Sequence, residues 1–389
     1  MDIAMTERGD FRRCRRAWNF QSANGLSLVR KGIPAVHFYV GNAFHAAMEG
    51  QALGLQPMEV LEAWFERKRT QYARDYAQQY GVSMDPRKLH QLKEPEALVR
   101  AMVEQYFDNY GWENPLESQG LKYIAPEISF RLPIPGVFDT VGEQVYLVGT
   151  IDGLAEELDN PDNYWLVEHK TYSQKVTLDQ LMFDDQMTGY SYAAWQLLGK
   201  PATGLLYDGA NKVKPKKPAV LIGESKWKGR LSRAIEGPMT FRSYHAAILE
   251  LGHDPTDEYY APVLHKLKMR EEMDENSFFV RHRVDFNEDQ MLQWEQDLIH
   301  EAKEMVSVAA HPEYQYPNRP WSGCWDCDVQ DLCATKQLGG DLEAVIAENY
   351  TVGTYGTRQA QKDMEPETVG SLSDLRSLIE RRKQELLAA

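Results

Sequence analysis

Val145-Tyr-Leu-Val-Gly-Thr-Ile-Asp152-Gly-Leu, a polar break, and then Trp165-Leu-Val-Glu168-His-Lys170-Thr form the stretch on which the fold turns. Both halves are rich in β-branched and aromatic residues, and Asn160-Pro-Asp-Asn163 between them has turn composition. An antiparallel hairpin is expected. Alternate side chains of a strand share a face, so Glu168 and Lys170 project together and His169 points away. Pairing brings Asp152 beside them. Two carboxylates then offer oxygen ligands to a hard cation, and an ammonium stands ready to orient water and stabilise charge on a phosphoryl oxygen. Glu-x-Lys on a strand is ordinarily a solvated surface pair. Here the Glu closes an apolar strand, after Leu166 and Val167, and Asp152 lies between Ile151 and Gly153, where an unpaired charge is costly. The group has the outline of a phosphodiesterase centre.

The 389 residues suffice for one elaborated domain or two, and 43% hydrophobic with 26% charged content is that of an ordinary soluble globular chain. No apolar run approaches the roughly 20 residues of a membrane helix, and the first residues lack a signal-peptide core. A cytoplasmic protein without membrane attachment is expected. The net charge of −15 argues against nonspecific coating of nucleic acid, although the basic residues are clustered enough for a local groove. Four cysteines in so long a chain do not make a disulfide scaffold.

In chain order, Phe11-Arg-Arg-Cys14-Arg-Arg-Ala-Trp18 sets one thiol among four arginines, which favours thiolate; the plainer alternative is a small buried residue beside a phosphate-facing helix. Val40-Gly41-Asn-Ala-Phe-His45 reads as a helix following a glycine. Its His suits metal ligation or proton transfer, although a lone His is more often simply packed. Helical periodicity over Met58–Tyr80 and Glu94–Tyr110 predicts a cover for the site, with Glu66-Arg-Lys-Arg69 as a solvated helix face. Leu121 to Ile134 should be the sheet's first strand, with Glu127 either assisting the metal site or, as favoured, structural. Leu178 to Leu198 reads as one helix, on which Gln186 and Tyr190 share a face at i, i+4. Thr203–Tyr207 reads as a short strand. From Asn211 a basic excursion contains Lys212, Lys214, Lys216, Lys217, Lys226, Lys228, Arg230 and Arg233, either a solvated loop or a phosphate-contacting flap, with Trp227 available to a base. Helices are expected over Phe241–Leu251 and near Tyr259. A strand over Phe278–Phe286 then precedes a helix from Glu288 to about Ala309, capped by Asn287. Tyr350 to Gln361 reads as a linker, and Ser371 to Leu387 as an amphipathic helix.

Gly41-x3-His45, Asp152, Glu168-x-Lys170 and Gln186-x3-Tyr190, in this order, resemble the RecB-like branch of the PD-(D/E)XK nuclease superfamily. The resemblance implies an α/β fold with a mixed central sheet flanked by helices. It implies that His45, Asp152 and Glu168, with the His169 main-chain carbonyl, bind Mg²⁺ or Mn²⁺. Lys170 would position the attacking water, while Gln186 and Tyr190 would support it and the DNA. Family members act as exonucleases on single-stranded DNA in recombination, repair or CRISPR adaptation. Such a chain would work beside a recombinase, helicase or CRISPR adaptation protein. No phosphate loop for a helicase occurs, so a free-standing nuclease, such as a phage encodes, fits better. The same centre would serve an endonuclease; a non-catalytic DNA-binding scaffold and a redox sensor are the rival classes.

Cys324-Trp-Asp-Cys327-Asp-Val-Gln-Asp-Leu-Cys333 adds three thiolates to Cys14, enough for a [4Fe–4S] cluster or Zn²⁺. One early and three late cysteines resemble the iron–sulfur staple of the AddB nuclease domain and of CRISPR-associated RecB-like exonucleases, which favours the cluster. The expected division is a nuclease domain over 1–340 and a C-terminal segment over 341–389. Within the first, 41–115 forms the helical cover, 121–210 the catalytic core and 211–275 the basic insertion.

Overall fold

The computed structural model describes residues 1–31, 36–85, 89–214, 216–222, 226–235, 238–272, 278–318, 324–325 and 327–353. Strands β4 (Gln144–Glu157) and β5 (Tyr164–Tyr172) form the expected antiparallel hairpin, with Gly153 opposite Val167 and Glu156 opposite Tyr164. Along one edge of β4 runs β3 (Leu121–Phe138), antiparallel. The other edge is shared. Tyr146–Val148 takes β1 (Asp2–Ala4) in parallel, and residues 153–156 take β5. Residues 149–152 lie between these two partners, so β4 and β5 fork just where the acidic residues sit. Beyond the fork β5 pairs in parallel with β6 (Gly204–Asn211), which pairs antiparallel with β7 (Phe279–Val284). Among the described residues the mixed sheet has six strands. Its first strand in the chain is β1, not β3 as expected, because three residues are too few to show a period.

One face of the sheet carries Ile128, Phe130, Ile151, Leu166 and Leu205 against helices α7 (Asp185–Leu198) and α10 (Glu288–Ala310). The cap expected for α10 is present: the Gln290 N–H donates to Asn287 Oδ1 at 2.8 Å. The single helix expected over 178–198 is instead α6 (Leu178–Leu181) and α7, because Asp184 accepts from the Met187 N–H at 3.0 Å and starts a new helix. Close packing fixes α7. A Cβ on Gly189 would lie 2.3 Å from Met5 Cε and 2.4 Å from Trp294 Cζ2.

Helices α3 (Val36–Ala52), α4 (Pro57–Tyr80) and α5 (Lys93–Tyr110) form the helical cover around Tyr39, Phe44, Phe65, Val103 and Tyr106. Gly41 lies inside α3 rather than before it. Arg69 is not part of a solvated face, since it forms an ion pair with the buried Glu96.

At the amino terminus α1 (Met5–Arg13) and α2 (Arg15–Gln21) meet at Cys14, whose extended backbone ends one helix and opens the next. Of the four arginines around it, Arg12, Arg13 and Arg15 pair with carboxylates. Arg12 Nε lies 2.6 Å from Glu301, Arg15 pairs with Glu304, and the fully buried Arg8 Nε lies 2.6 Å from Glu301. The insertion is a packed lobe with α8 (Phe241–Glu250), α9 (Ala261–Glu272) and a core of Tyr244, Ile248, Tyr260 and Leu267. Trp227 is engaged within it, 4.5 Å from the Tyr259 ring and flanked by Lys226 and Arg230, so it is no free platform for a base.

After α11 (Gln330–Gln337) and α12 (Leu342–Asn349), the expected linker starts as β8 (Tyr350–Val352), paired antiparallel with β2 (Leu28–Arg30). The helix expected over Ser371–Leu387 lies outside the described residues. No described helix is long and apolar enough to cross a membrane.

Candidate active site

The sheet register assembles the site. Gly153 faces Val167 and Pro126, and Ile151 faces Ile128, so the residue between them, Asp152, falls opposite Glu127 on β3 and Glu168 on β5. Three carboxylates thus form a row across three adjacent strands. His45 on α3 reaches the row from the helical cover, with Nδ1 3.4 Å from Asp152 Oδ1. His45, Glu127 and Asp152 each bring a ligand atom within 4.8 Å of the others. Of the two roles open from sequence, the geometry favours the one beside the metal donors over the structural one for Glu127. Its backbone has a φ of 49°, unusual for a residue with a side chain and typical of sites where geometry is imposed from outside. Nothing in the local sequence signals this, since only the β3–β4 register places it.

Glu168 is buried, with one carboxylate oxygen 2.5 Å from Lys170 Nζ. Its other oxygen, Oε2, has no hydrogen-bond partner among the described residues. Lys170 also donates to Gln186 Oε1 at 2.9 Å, and Gln186 Nε2 donates to the Tyr190 hydroxyl at 2.9 Å. Glu168, Lys170, Gln186 and Tyr190 are therefore one connected chain, and the i, i+4 spacing on α7 puts the last two in line.

Charge crowding sets the ionisation. Burial pushes the Glu168 carboxyl up, Asp152 adds to this, and Lys170 only partly opposes it; the result is about 7. At Asp152 burial also acts upward but is outweighed by His45 and Lys170, leaving the group at about 2. For His45 burial acts downward, yet Asp152 and Glu127 hold the imidazolium up to about 9. Lys170 resists burial through Glu168 and Asp152 and stays above the usual ammonium range. This Lys is a donor, not a base.

His169 points away from the row, as alternation requires, into a buried network that the sequence reading missed. Its Nε2 lies 2.7 Å from the Tyr123 hydroxyl, and its Nδ1 3.3 Å from Asp208 Oδ2. Arg281 Nε donates to Asp208 Oδ1 at 2.8 Å, and the Tyr106 hydroxyl donates to the same carboxylate. Burial would raise the Asp208 carboxyl, but Arg281 and His169 hold it far below the usual range. The His169 N–H donates to Asp152 Oδ2 at 2.9 Å, tying this network to the row. The available signal was a charge within each of two apolar strands, Asp208 after Leu205-Leu-Tyr and Arg281 after Phe278-Phe-Val.

Of the four thiols, Cys14, Cys327 and Cys333 border one apolar cluster with Ala17, Phe20, Val329 and Leu332, and Cys324 is exposed. Among the described residues no three of these sulfurs come within 4.8 Å of one another. Arg16 donates to Cys333 Sγ at 3.7 Å.

A family model described as the PD-(D/E)XK nuclease superfamily matches residues 3–334. The chain belongs to the PD-(D/E)XK nuclease superfamily. No curated protein matches it. Within the matched range the fold brings Asp152, Glu168 and Lys170 together at one fork of the sheet. The match runs from within β1 to within α11.

Proposed function

We propose that this PD-(D/E)XK protein is a Mg²⁺- or Mn²⁺-dependent exonuclease of the RecB-like branch. Its substrate is single-stranded DNA ends, and its setting is recombination, repair or phage DNA processing beside a recombinase, helicase or CRISPR adaptation protein. The observation that carries the reading is the row Glu127–Asp152–Glu168 at the fork, with His45 on one side and Lys170 on the other.

The donor set fits a divalent cation. Like charges placed opposite each other on paired strands repel, and an unpartnered carboxylate oxygen buried beside them costs further free energy. A cation relieves both. Asp152, Glu168 and His45 would hold it, with Glu127 and the His169 carbonyl as further oxygen donors. When bound, such an ion supplies a water of lowered pKa and a polarised phosphoryl oxygen. The remaining work belongs to the chain. Glu168 and Gln186 fix the Lys170 ammonium, whose third N–H is then available to the water or to a phosphate oxygen. Tyr190 holds Gln186 in line. Because Lys170 keeps its proton, it stabilises developing negative charge rather than removing a proton.

The four cysteines are proposed to hold a [4Fe–4S] cluster that fastens the amino terminus to the α11 region. Support comes from Cys14 sharing an apolar cluster with Cys327 and Cys333, across more than 300 residues of chain. Metal analysis of anaerobically purified protein checks this. Iron with sulfide, lost in Cys327→Ser, is expected; zinc alone would refute it.

The enzymatic test incubates wild type and Lys170→Ala with Mn²⁺ or Mg²⁺ on end-labelled linear and circular single-stranded DNA. Degradation of the linear strand alone, abolished in the variant, is expected. Cutting of the circle would make the protein an endonuclease with the same centre. Binding without cleavage would make it a scaffold.

A further inference from the structure

Phe183 is 87% exposed, the most exposed aromatic side chain among the described residues, and it occupies the break between α6 and α7. Gln186, which holds Lys170, follows three residues later, so the two Cα atoms are separated by at most about 11 Å. A single exposed apolar side chain usually needs no explanation. Three observations set this one apart. First, Phe183 precedes the helix cap Asp184, a position from which a ring can pack on a hydrophobic fourth residue of the helix; that residue is the polar Thr188, so the ring has no apolar partner there. Second, its chain neighbour on this lip, Met182, is also exposed, at 44%. Third, every charged residue from 178 to 186 is acidic (Asp179, Asp184 and Asp185), which disfavours a phosphate at this lip. A flat, neutral surface suits it.

We infer that Phe183 stacks on a nucleobase of the DNA strand whose phosphate enters the site; this rests on the nuclease reading above. A paired base inside a duplex has both faces covered, so the ring can engage only an unpaired or terminal base. Every base has a π-face, so the contact selects single strands without reading sequence. It thereby names a chemical source for the preference proposed above. Backbone charge is met by the cation site and Lys170, and base stacking is met by Phe183.

The test measures binding by fluorescence anisotropy, in the presence of Ca²⁺, for the full chain and for Phe183→Ala and Phe183→Tyr. The probes are a short single-stranded oligonucleotide and a series in which one position at a time is abasic. Stacking of one base predicts about tenfold weaker binding for Phe183→Ala and near-wild-type binding for Phe183→Tyr. One abasic position should cost wild type the same factor and cost Phe183→Ala nothing further. If Phe183→Ala binds all strands like wild type, or loses equally on intact and abasic strands, the inference is overturned. A shift of Phe183→Ala from dimer to monomer in sedimentation, with DNA binding unchanged, would assign the lip to a contact between copies and also overturn it. These readings need no cleavage, so a chain that binds in this way but never hydrolyses DNA defeats the nuclease reading alone.

Discussion

Glu127 and Asp152 face each other across paired strands, with His45 beside them. Glu127→Gln should shrink the stabilisation that Mn²⁺ gives, since a ligand that binds only the folded state stabilises according to its affinity. Differential scanning fluorimetry with and without Mn²⁺ checks this; an unchanged response to Mn²⁺ would remove Glu127 from the site. Lys170→Ala acts differently. It strips the donor that Glu168 and Gln186 hold, so hydrolysis should fall at least a hundredfold, the scale of losing one oriented charge-stabilising donor, while DNA binding measured by anisotropy persists. The meeting of Asp152, Glu168 and Lys170 was legible from strand alternation and that of His45 from motif order. For Glu127 the sequence left two roles open, because its local pattern is that of any strand residue.

Among the elements, α7 carries the most consequence, since it presents Gln186 and Tyr190 to the sheet while its other side meets α1 and α10. Gly189 makes that approach possible through its missing side chain. Gly189→Ala would gain helix propensity but drive a methyl group into Met5 and Trp294, and overpacking of this kind costs about 1–3 kcal/mol. Urea denaturation should give a lower midpoint with an unchanged slope, and hydrolysis should fall as Gln186 withdraws from Lys170. A stabilised variant would show that α7 docks loosely. The sequence suggested one long helix here, because hydrophobic periodicity continues through Met182 and Phe183. The side chain of Asp184, competing for the Met187 N–H, broke it. The insertion is a different case. Its lysines left a solvated loop and a phosphate-contacting flap equally open, and Tyr244, Tyr259 and Tyr260 gather it into a lobe against which Trp227 packs.

For the molecule as a whole, the buried network of Asp208, Arg281, His169, Tyr106 and Tyr123 joins β3, β5, β6 and β7 to the helical cover. Asp208 titrates below the usual carboxylate range when folded, so its contribution is complete above the unfolded value near pH 4 and is lost as pH falls through the folded value. Acid unfolding should therefore steepen below about pH 4. Asp208→Asn should flatten that limb and, by leaving Arg281 buried without its counter-charge, cost about 3–5 kcal/mol at neutral pH. A pH series of denaturant midpoints measures both effects; parallel acid limbs would refute the assignment. The sequence by itself determined the β4–β5 hairpin, the order of the motifs and the Asn287 cap of α10, because periodicity and side-chain chemistry are local properties. Tertiary structure alone decided the fork between β1 and β5, the place of Glu127 in the carboxylate row, the role of His169 as a buried link to Asp208, and the return of the chain at β8 to pair with β2. Each of these depends on strand register or on residues far apart in the chain, and register between strands is fixed by packing rather than by either strand's own sequence.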